Sequence, residues 1–297
     1  MNIRNPFPAR ALWLLAALAG LLLLTGCSTI RLGYSQADTI AAWTADEYFD
    51  FDSRQKDEFS SRFERLYDWH RYEQLPEYAA FLGAVKTRLH SGLRREDVFW
   101  FLEGLKTRYR LIASRGAGDA AEILATLTPA QLDALQRQWV KVNRKFIREY
   151  KLEDTPREQQ RAQAKRMLSR IEDWTGSFSH EQEQKITALC DKLPLTDHLR
   201  HEDRLRRQRE FLRLLELRGN PGEFTPRLRH WLLNWEEGRA PEYERLYAPW
   251  LEQRVQFMVD VYSLLTPTQR AHVQHRLQNY IEDFQKLSER GSRTAAR

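Results

Sequence analysis

The sequence has few cysteines. Among its 297 residues there are only two, Cys27 and Cys190. This number excludes a disulfide-rich fold, so the free energy of folding must come from side-chain packing. Cys190 lies in a short apolar segment and has no basic residue beside it. This setting predicts a buried small side chain rather than a nucleophile.

Catalytic and cofactor-binding motifs are also missing. There is no Gly-x-Ser-x-Gly elbow, and no carboxylate pair stands out among the 41 acidic residues. The segment from Gly116 to Ala121 resembles a phosphate loop, but a helix rather than a strand precedes it. We expect one helix to end at Gly116 and another to begin at Asp119, with Glu122 completing a capping box. We therefore predict no catalytic residue and no cofactor, although a site built from distant segments stays open.

Metal-ligand sets are incomplete. The His-x-x-His pairs, His198/His201 and His272/His275, could each place two rings on one helix face. No carboxylate or cysteine completes either pair at ligand spacing. We expect solvated helix faces there and no bound metal.

The excess of one charge sign is small. The chain carries 47 basic and 41 acidic side chains, a formal charge of +6, which argues against a dedicated nucleic-acid binder. The basic stretch from Leu199 to Arg209 is expected to be the solvated face of a docked helix. A patch for anionic lipid or an acidic partner is the alternative. Trp231 and Trp235, four residues apart, are expected to share a helix face and to pack in the core rather than line a groove.

Long apolar runs are confined to the N-terminal segment. Ala11 to Leu24 is an apolar run of 14 residues, preceded by Arg4 and Arg10. As a helix it would rise only about 21 Å, too short for a hydrocarbon core of about 30 Å. This pattern predicts an export signal over residues 1–26 rather than a transmembrane span.

The end of this run, Leu24-Thr-Gly-Cys27, resembles the lipobox of bacterial lipoproteins. The resemblance implies cleavage before Cys27 and acylation of that cysteine, so that the lipid anchor joins the chain to a membrane. Residues 27–35 contain Gly33 and no strong helical pattern, so we expect an extended, lipidated tether. Ser28, rather than Asp, follows the cysteine. This implies the periplasmic face of the outer membrane, with the inner membrane as the alternative.

The rest of the chain has apolar residues at helical spacing and no alternating apolar and polar runs bounded by turns. We predict an all-α, elongated multi-helix bundle over residues 36–290 and a disordered tail over 291–297. Four predicted helix starts share one pattern: an apolar residue, a capping oxygen, two variable residues and glutamine. The capping and glutamine residues are Asp52 and Gln55, Thr128 and Gln131, Ser179 and Gln182, and Thr266 and Gln269.

These starts occur in an order that suggests two related halves, 36–150 and 151–290. The segments Leu75-Pro-Glu-Tyr78 and Ala240-Pro-Glu-Tyr243 each lie between the two helix starts of their own half. Because the spacing between the elements differs greatly, chance recurrence of helix-start chemistry stays the alternative.

Two resemblances bear on function. The segments beginning at Leu127 and Leu265 resemble the LTxxQ motif of the periplasmic proteins CpxP and Spy, which implies a helical stress-sensing or chaperone-like protein. A proteobacterial lipoprotein family of unknown function is resembled by the lipobox together with Leu32 to Tyr34, Trp43 to Gln55, Trp69 to Tyr78 and Arg170 to Gln182. We expect a non-enzymatic role in binding, chaperoning or envelope maintenance, with an unfolded client or a protein partner and no nucleic acid. The alternatives are a scaffold or accessory subunit of an envelope complex and, less favoured, an envelope hydrolase.

Overall fold

The computed structural model describes residues 29–289, and every regular element in that range is helical. The all-α prediction is confirmed. A π-helical turn, His70–Gln74, joins the third and fourth helices. The helices are α1 (Thr29–Ser35), α2 (Ala37–Phe49), α3 (Ser53–Trp69), α4 (Leu75–His90), α5 (Arg95–Ala125), α6 (Pro129–Tyr150), α7 (Pro156–Thr175), α8 (His180–Cys190), α9 (Asp197–Glu216), α10 (Pro221–Leu233), α11 (Pro241–Leu264) and α12 (Pro267–Ser288).

The predicted signal (1–26), Cys27 and the predicted tail (291–297) lie outside the described residues. Within residues 29–289, no helix has the length and apolar character needed to cross a bilayer. The extended tether expected over 27–35 is wrong for residues 29–35, which form α1. This helix packs on α12, and Arg31 Nε lies 3.0 Å from the Asp283 carboxylate. The folded part therefore begins almost immediately after Cys27.

Two groups of four helices repeat the same packing. In the first unit (α2, α3, α5 and α6), α2 packs on α3 and α6, and α3 packs on α5. In the second unit (α7, α8, α11 and α12), α7 packs on α8 and α12, and α8 packs on α11. The order of helices along the chain is the same in both units. This correspondence agrees with the two halves expected from the sequence, while a gene duplication stays a prediction.

The intervening helices join the two units. Helix α4, from the first half, packs on α12, and α10, from the second half, packs on α5. One apolar core consequently mixes both halves, because it contains Leu135 of α6, Leu215 of α9 and Phe224 of α10, all at most 1% exposed. A second core lies in the second unit around Ile186 and Phe257.

Helix α5 corrects one prediction from the sequence. It runs without interruption from Arg95 to Ala125, so no helix ends at Gly116 and none begins at Asp119. The glycines lie inside the helix, where each is less favourable than alanine by about 1 kcal/mol. Asp119 and Glu122 pair with arginines instead of capping a helix.

Candidate ligand-binding groove

Two helix caps of the first unit hydrogen-bond to each other. In the Asp52–Gln55 and Thr128–Gln131 capping boxes, each glutamine accepts from the backbone N–H of its own capping residue. The two glutamine amides also pair, with Gln55 Nε2 3.2 Å from Gln131 Oε1 and Gln131 Nε2 2.6 Å from Gln55 Oε1. We call this arrangement the crossed caps.

Each glutamine of the crossed caps also binds a carbonyl two residues before the partner cap. Gln55 Nε2 donates to Thr126 O at 3.1 Å, and Gln131 Nε2 donates to Asp50 O at 2.9 Å. The starts of α3 and α6 are therefore tied to the ends of α5 and α2. Because both glutamines are buried, no water can replace these bonds.

The second unit repeats the crossed caps atom for atom. Gln182 Nε2 donates to Leu264 O and to Gln269 Oε1, at 2.9 and 2.8 Å. Gln269 Nε2 donates to Ser177 O at 2.9 Å and to Gln182 Oε1 at 3.2 Å. The four capping boxes with glutamine that were expected from the sequence are thus present, and sequence alone did not indicate that they pair.

An apolar groove of about 300 Å³ opens beside the crossed caps of the first unit. Phe51, which precedes the Asp52 cap, and Leu124, near the end of α5, form part of its wall, so the caps fix the position of both. Helices α2, α3, α5, α9 and α10 contribute the other residues. The groove is lined by Ala45, Phe49, Phe51, Phe59, Arg62, Phe63, Leu66, Gly116, Asp119, Ala120, Ile123, Leu124, Phe211, Leu228 and Leu232.

A second space, of about 340 Å³, adjoins the apolar groove and shares Leu66 and Asp119 with it. We call this space the arginine cleft. It is lined by Arg65, Leu66, Arg115, Gly118, Asp119, Glu122 and Arg229.

Arg62 lies where the two spaces meet. Its guanidinium contacts Asp119 Oδ1 at 2.9 Å and Glu122 Oε2 at 2.7 Å. Burial alone would lower the pKa of Arg62, but the hydrogen bonds to Asp119 and Glu122 outweigh burial and raise it. Arg65 Nη2 shares the Asp119 oxygen at 3.0 Å. Both carboxylates of the cleft are therefore engaged by Arg62 and Arg65.

The other two arginines of the cleft have no such partner. Arg115 lies over the Trp69 ring, with 5.8 Å between guanidinium carbon and ring centroid, and Arg229 Nη1 is 3.4 Å from Ser114 Oγ. Neither forms an ion pair with a carboxylate of residues 29–289. The cleft thus presents two guanidinium groups that are free to bind an anion.

The two units differ in side-chain size at the position of Gly116. Gly116 precedes Gln131 by fifteen residues, and Arg254 precedes Gln269 by the same number. The Arg254 side chain lies against Met167, with Nη1 3.1 Å from Sδ, and burial lowers the pKa of its guanidinium. At the position that aligns with Gly116, the second unit therefore has a long side chain that lies against α7.

The glycines of α5 allow a matched test of this helix. A Cβ at Gly118 would meet no atom within 4 Å, whereas a Cβ at Gly104 would overlap the Phe81 ring. We expect Gly118→Ala to raise the free energy of unfolding by about 0.5–1 kcal/mol, because alanine favours the helix. We expect Gly104→Ala to lower it by about 1–3 kcal/mol through overpacking. Urea unfolding measures both, and destabilisation by Gly118→Ala would contradict a continuous α5.

The sequence offered one cysteine as a candidate nucleophile and two histidine pairs as candidate metal ligands. Cys190 is fully buried, as expected, and burial raises the pKa of its thiol to about 12. The His201 ring stacks on Phe146, with centroids 5.6 Å apart. No group of three or more possible metal ligands occurs within residues 29–289. The pairs His198/His201 and His272/His275 lie on α9 and α12, respectively.

Two expectations about arginine and tryptophan residues are wrong. The arginines of α9 are not simply solvated: Arg206 binds Asp203 and Glu210, and Arg207 lies 3.6 Å from the Trp231 ring centroid. Trp231 packs against the first core, as expected. Trp235 lies beyond the end of α10 and contacts Tyr109 instead, so the two tryptophans share no helix face.

A family model matches residues 47–244 and describes a family of unknown function, DUF6279. The chain belongs to this family. The match includes every residue that lines the arginine cleft and all but Ala45 of those that line the apolar groove. The expected membership of a family of unknown function is confirmed, while the lipoprotein character of that family stays a prediction. No curated protein and no solved structure matches the chain.

Proposed function

We propose that this member of DUF6279 is a lipid-anchored protein of the bacterial envelope that acts by binding an apolar ligand or client segment. The observation that carries the binding role is the apolar groove. Its volume of about 300 Å³ is at the lower end of the range for ligand sites, and its walls are held by crossed caps rather than by a mobile loop. The lipobox resemblance at Cys27 supports the anchor.

A scaffold role is the second candidate. Leu32, Ile40 and Trp43 of α1 and α2 are 63%, 52% and 68% exposed. Ile40 and Trp43, three residues apart, share one face of α2. Exposed large apolar side chains favour contact with another protein or a membrane. The proposed anchor at Cys27 would hold this surface near the bilayer.

Metabolic labelling with palmitate tests the anchor. We expect the full chain to incorporate the label, the Cys27→Ser variant to incorporate none, and the matched Cys190→Ala variant to remain labelled, because Cys190 is buried. Equal labelling of the chain and the Cys27→Ser variant would contradict the anchor.

Binding of the neutral dye Nile red tests the groove. The chain from Ser28 onwards serves here, because it lacks only the predicted signal and the acylated cysteine, and its melting transition is checked first. We expect Ala120→Leu, which fills the groove, to weaken binding at least tenfold. The matched Ala271→Leu variant, which adds the same side chain to exposed α12 surface, should bind as the parent does. Equal binding by all three would contradict a ligand site in the groove.

A further inference from the structure

The apolar groove and the arginine cleft adjoin each other, since Leu66 and Asp119 line both. We propose that together they bind an amphiphile with a single hydrocarbon chain and an anionic headgroup. The chain would occupy the groove, and the headgroup would bind Arg115 and Arg229. This inference rests on the proposed function and specifies the class of ligand.

The lining of the groove favours a hydrocarbon chain over a peptide. Arg62 and Asp119 are the only polar side chains among the residues that line it, and they bind each other. A peptide would bring backbone N–H and C=O groups that need hydrogen-bond partners when buried. A hydrocarbon chain has no such groups. The volume of about 300 Å³ favours one chain rather than two.

The charges of the cleft favour an anionic headgroup. Arg62 and Arg65 already pair with Asp119 and Glu122, which leaves Arg115 and Arg229 available. Guanidinium groups bind carboxylate and phosphate oxygens through paired N–H donors. Since Arg115 lies on α5 and Arg229 on α10, one headgroup could contact both helices.

Gly118 helps to keep the cleft open. It lies inside α5, lines the cleft, and has no atom within 4 Å of the position of a Cβ. A larger side chain here would extend into the cleft, because Gly118 is part of its lining.

Displacement of Nile red from the chain starting at Ser28 tests the proposal. The competitors are dodecanoate, dodecyl phosphate and dodecyltrimethylammonium, which share one chain length and differ in headgroup. We expect at least one anionic competitor to displace the dye at a concentration at least tenfold lower than the cation requires. Comparison of dodecanoate with dodecyl phosphate distinguishes a carboxylate from a phosphate headgroup.

Substitution of the two cleft arginines tests whether they cause the preference for an anionic competitor. In Arg115→Gln/Arg229→Gln the preference for the anion should fall to within about twofold of the cation, while the affinity for neutral Nile red stays unchanged. The matched Arg137→Gln/Arg144→Gln variant removes two exposed arginines from α6 and should keep the preference. Equal displacement by anion and cation in the parent chain, or a preference that survives loss of Arg115 and Arg229, would overturn the inference. Failure of Nile red itself to bind would instead overturn the proposed function.

Discussion

Replacing Gln55 with leucine is expected to lower the free energy of unfolding by about 3 kcal/mol. Gln55 is only 1% exposed, and its amide joins the starts of α3 and α6 to the end of α5. Leucine has nearly the same size but neither donates nor accepts a hydrogen bond. The substitution would remove the bonds from Gln55 Nε2 to Thr126 O and to Gln131 Oε1, and the bond from the Asp52 N–H to Gln55 Oε1. Each such loss costs about 1–3 kcal/mol.

Urea unfolding of Gln55→Leu and of three further variants measures this effect. Gln131→Leu should cost a similar amount, and the Gln55→Leu/Gln131→Leu double variant should lose less than the sum of the two, since both remove one shared amide pair. The matched Gln182→Leu variant removes the equivalent amide of the second unit. Because Gln182 is only half-buried, water can partly replace its bonds, and we expect a smaller loss. Strictly additive losses at Gln55 and Gln131 would show that the pair is not coupled.

Helix starts were predictable because their chemistry is local. A capping residue and a glutamine three positions later satisfy each other within one turn, whatever the rest of the fold does. The pairing of Gln55 with Gln131 was not predictable, because it joins residues 76 positions apart. Only the repetition of the pattern, twice in each half, hinted at a shared arrangement.

The errors arose where tertiary packing overrides local preference. Gly116 and Gly118 are typical of a helix boundary, yet packing of α5 against α3 and α10 carries the helix through both. Gly33 likewise suggested an extended tether, whereas the contact of α1 with α12 supports a helix there. Local propensity is a weak guide when long-range contacts contribute more.

The groove was missed because its walls come from helices far apart in sequence. One signal could have located it: alignment of the two halves on their glutamines pairs Gly116 with Arg254, and Phe63 with Cys190. At both aligned positions, one half has a small residue where the other half has a large one. Such an exchange of volume indicates that the two units fill the same space differently.

A chain that ends after Glu244, where the family match ends, is not expected to fold cooperatively. It would lack α12 and nearly all of α11. Helix α12 buries Leu277, Ile281 and Leu287. Burial of each contributes about 1.5–3 kcal/mol, so their loss alone is comparable with the whole stability of a typical domain, about 5–15 kcal/mol.

The contacts of α12 show why the first half would also be affected. Arg71 Nε donates to Leu287 O at 2.6 Å, and Lys86 Nζ donates to Gln278 Oε1 at 2.6 Å. The Tyr78 ring packs on that of Phe284, with centroids 6.1 Å apart. These three contacts join α12 to α4 or to the π-helical turn before it, so removing α12 would expose a face of the first half.

Thermal unfolding followed by circular dichroism measures the result. We expect the chain ending after Glu244 to show a broad, non-cooperative loss of helix, and a chain ending after Glu289 to show one transition like that of the full chain. A sharp transition in the shorter chain would mean that the matched region folds alone and that α4 does not depend on α12. Because α10 packs on α5 as α4 packs on α12, the two halves support each other, and the apolar groove depends on both.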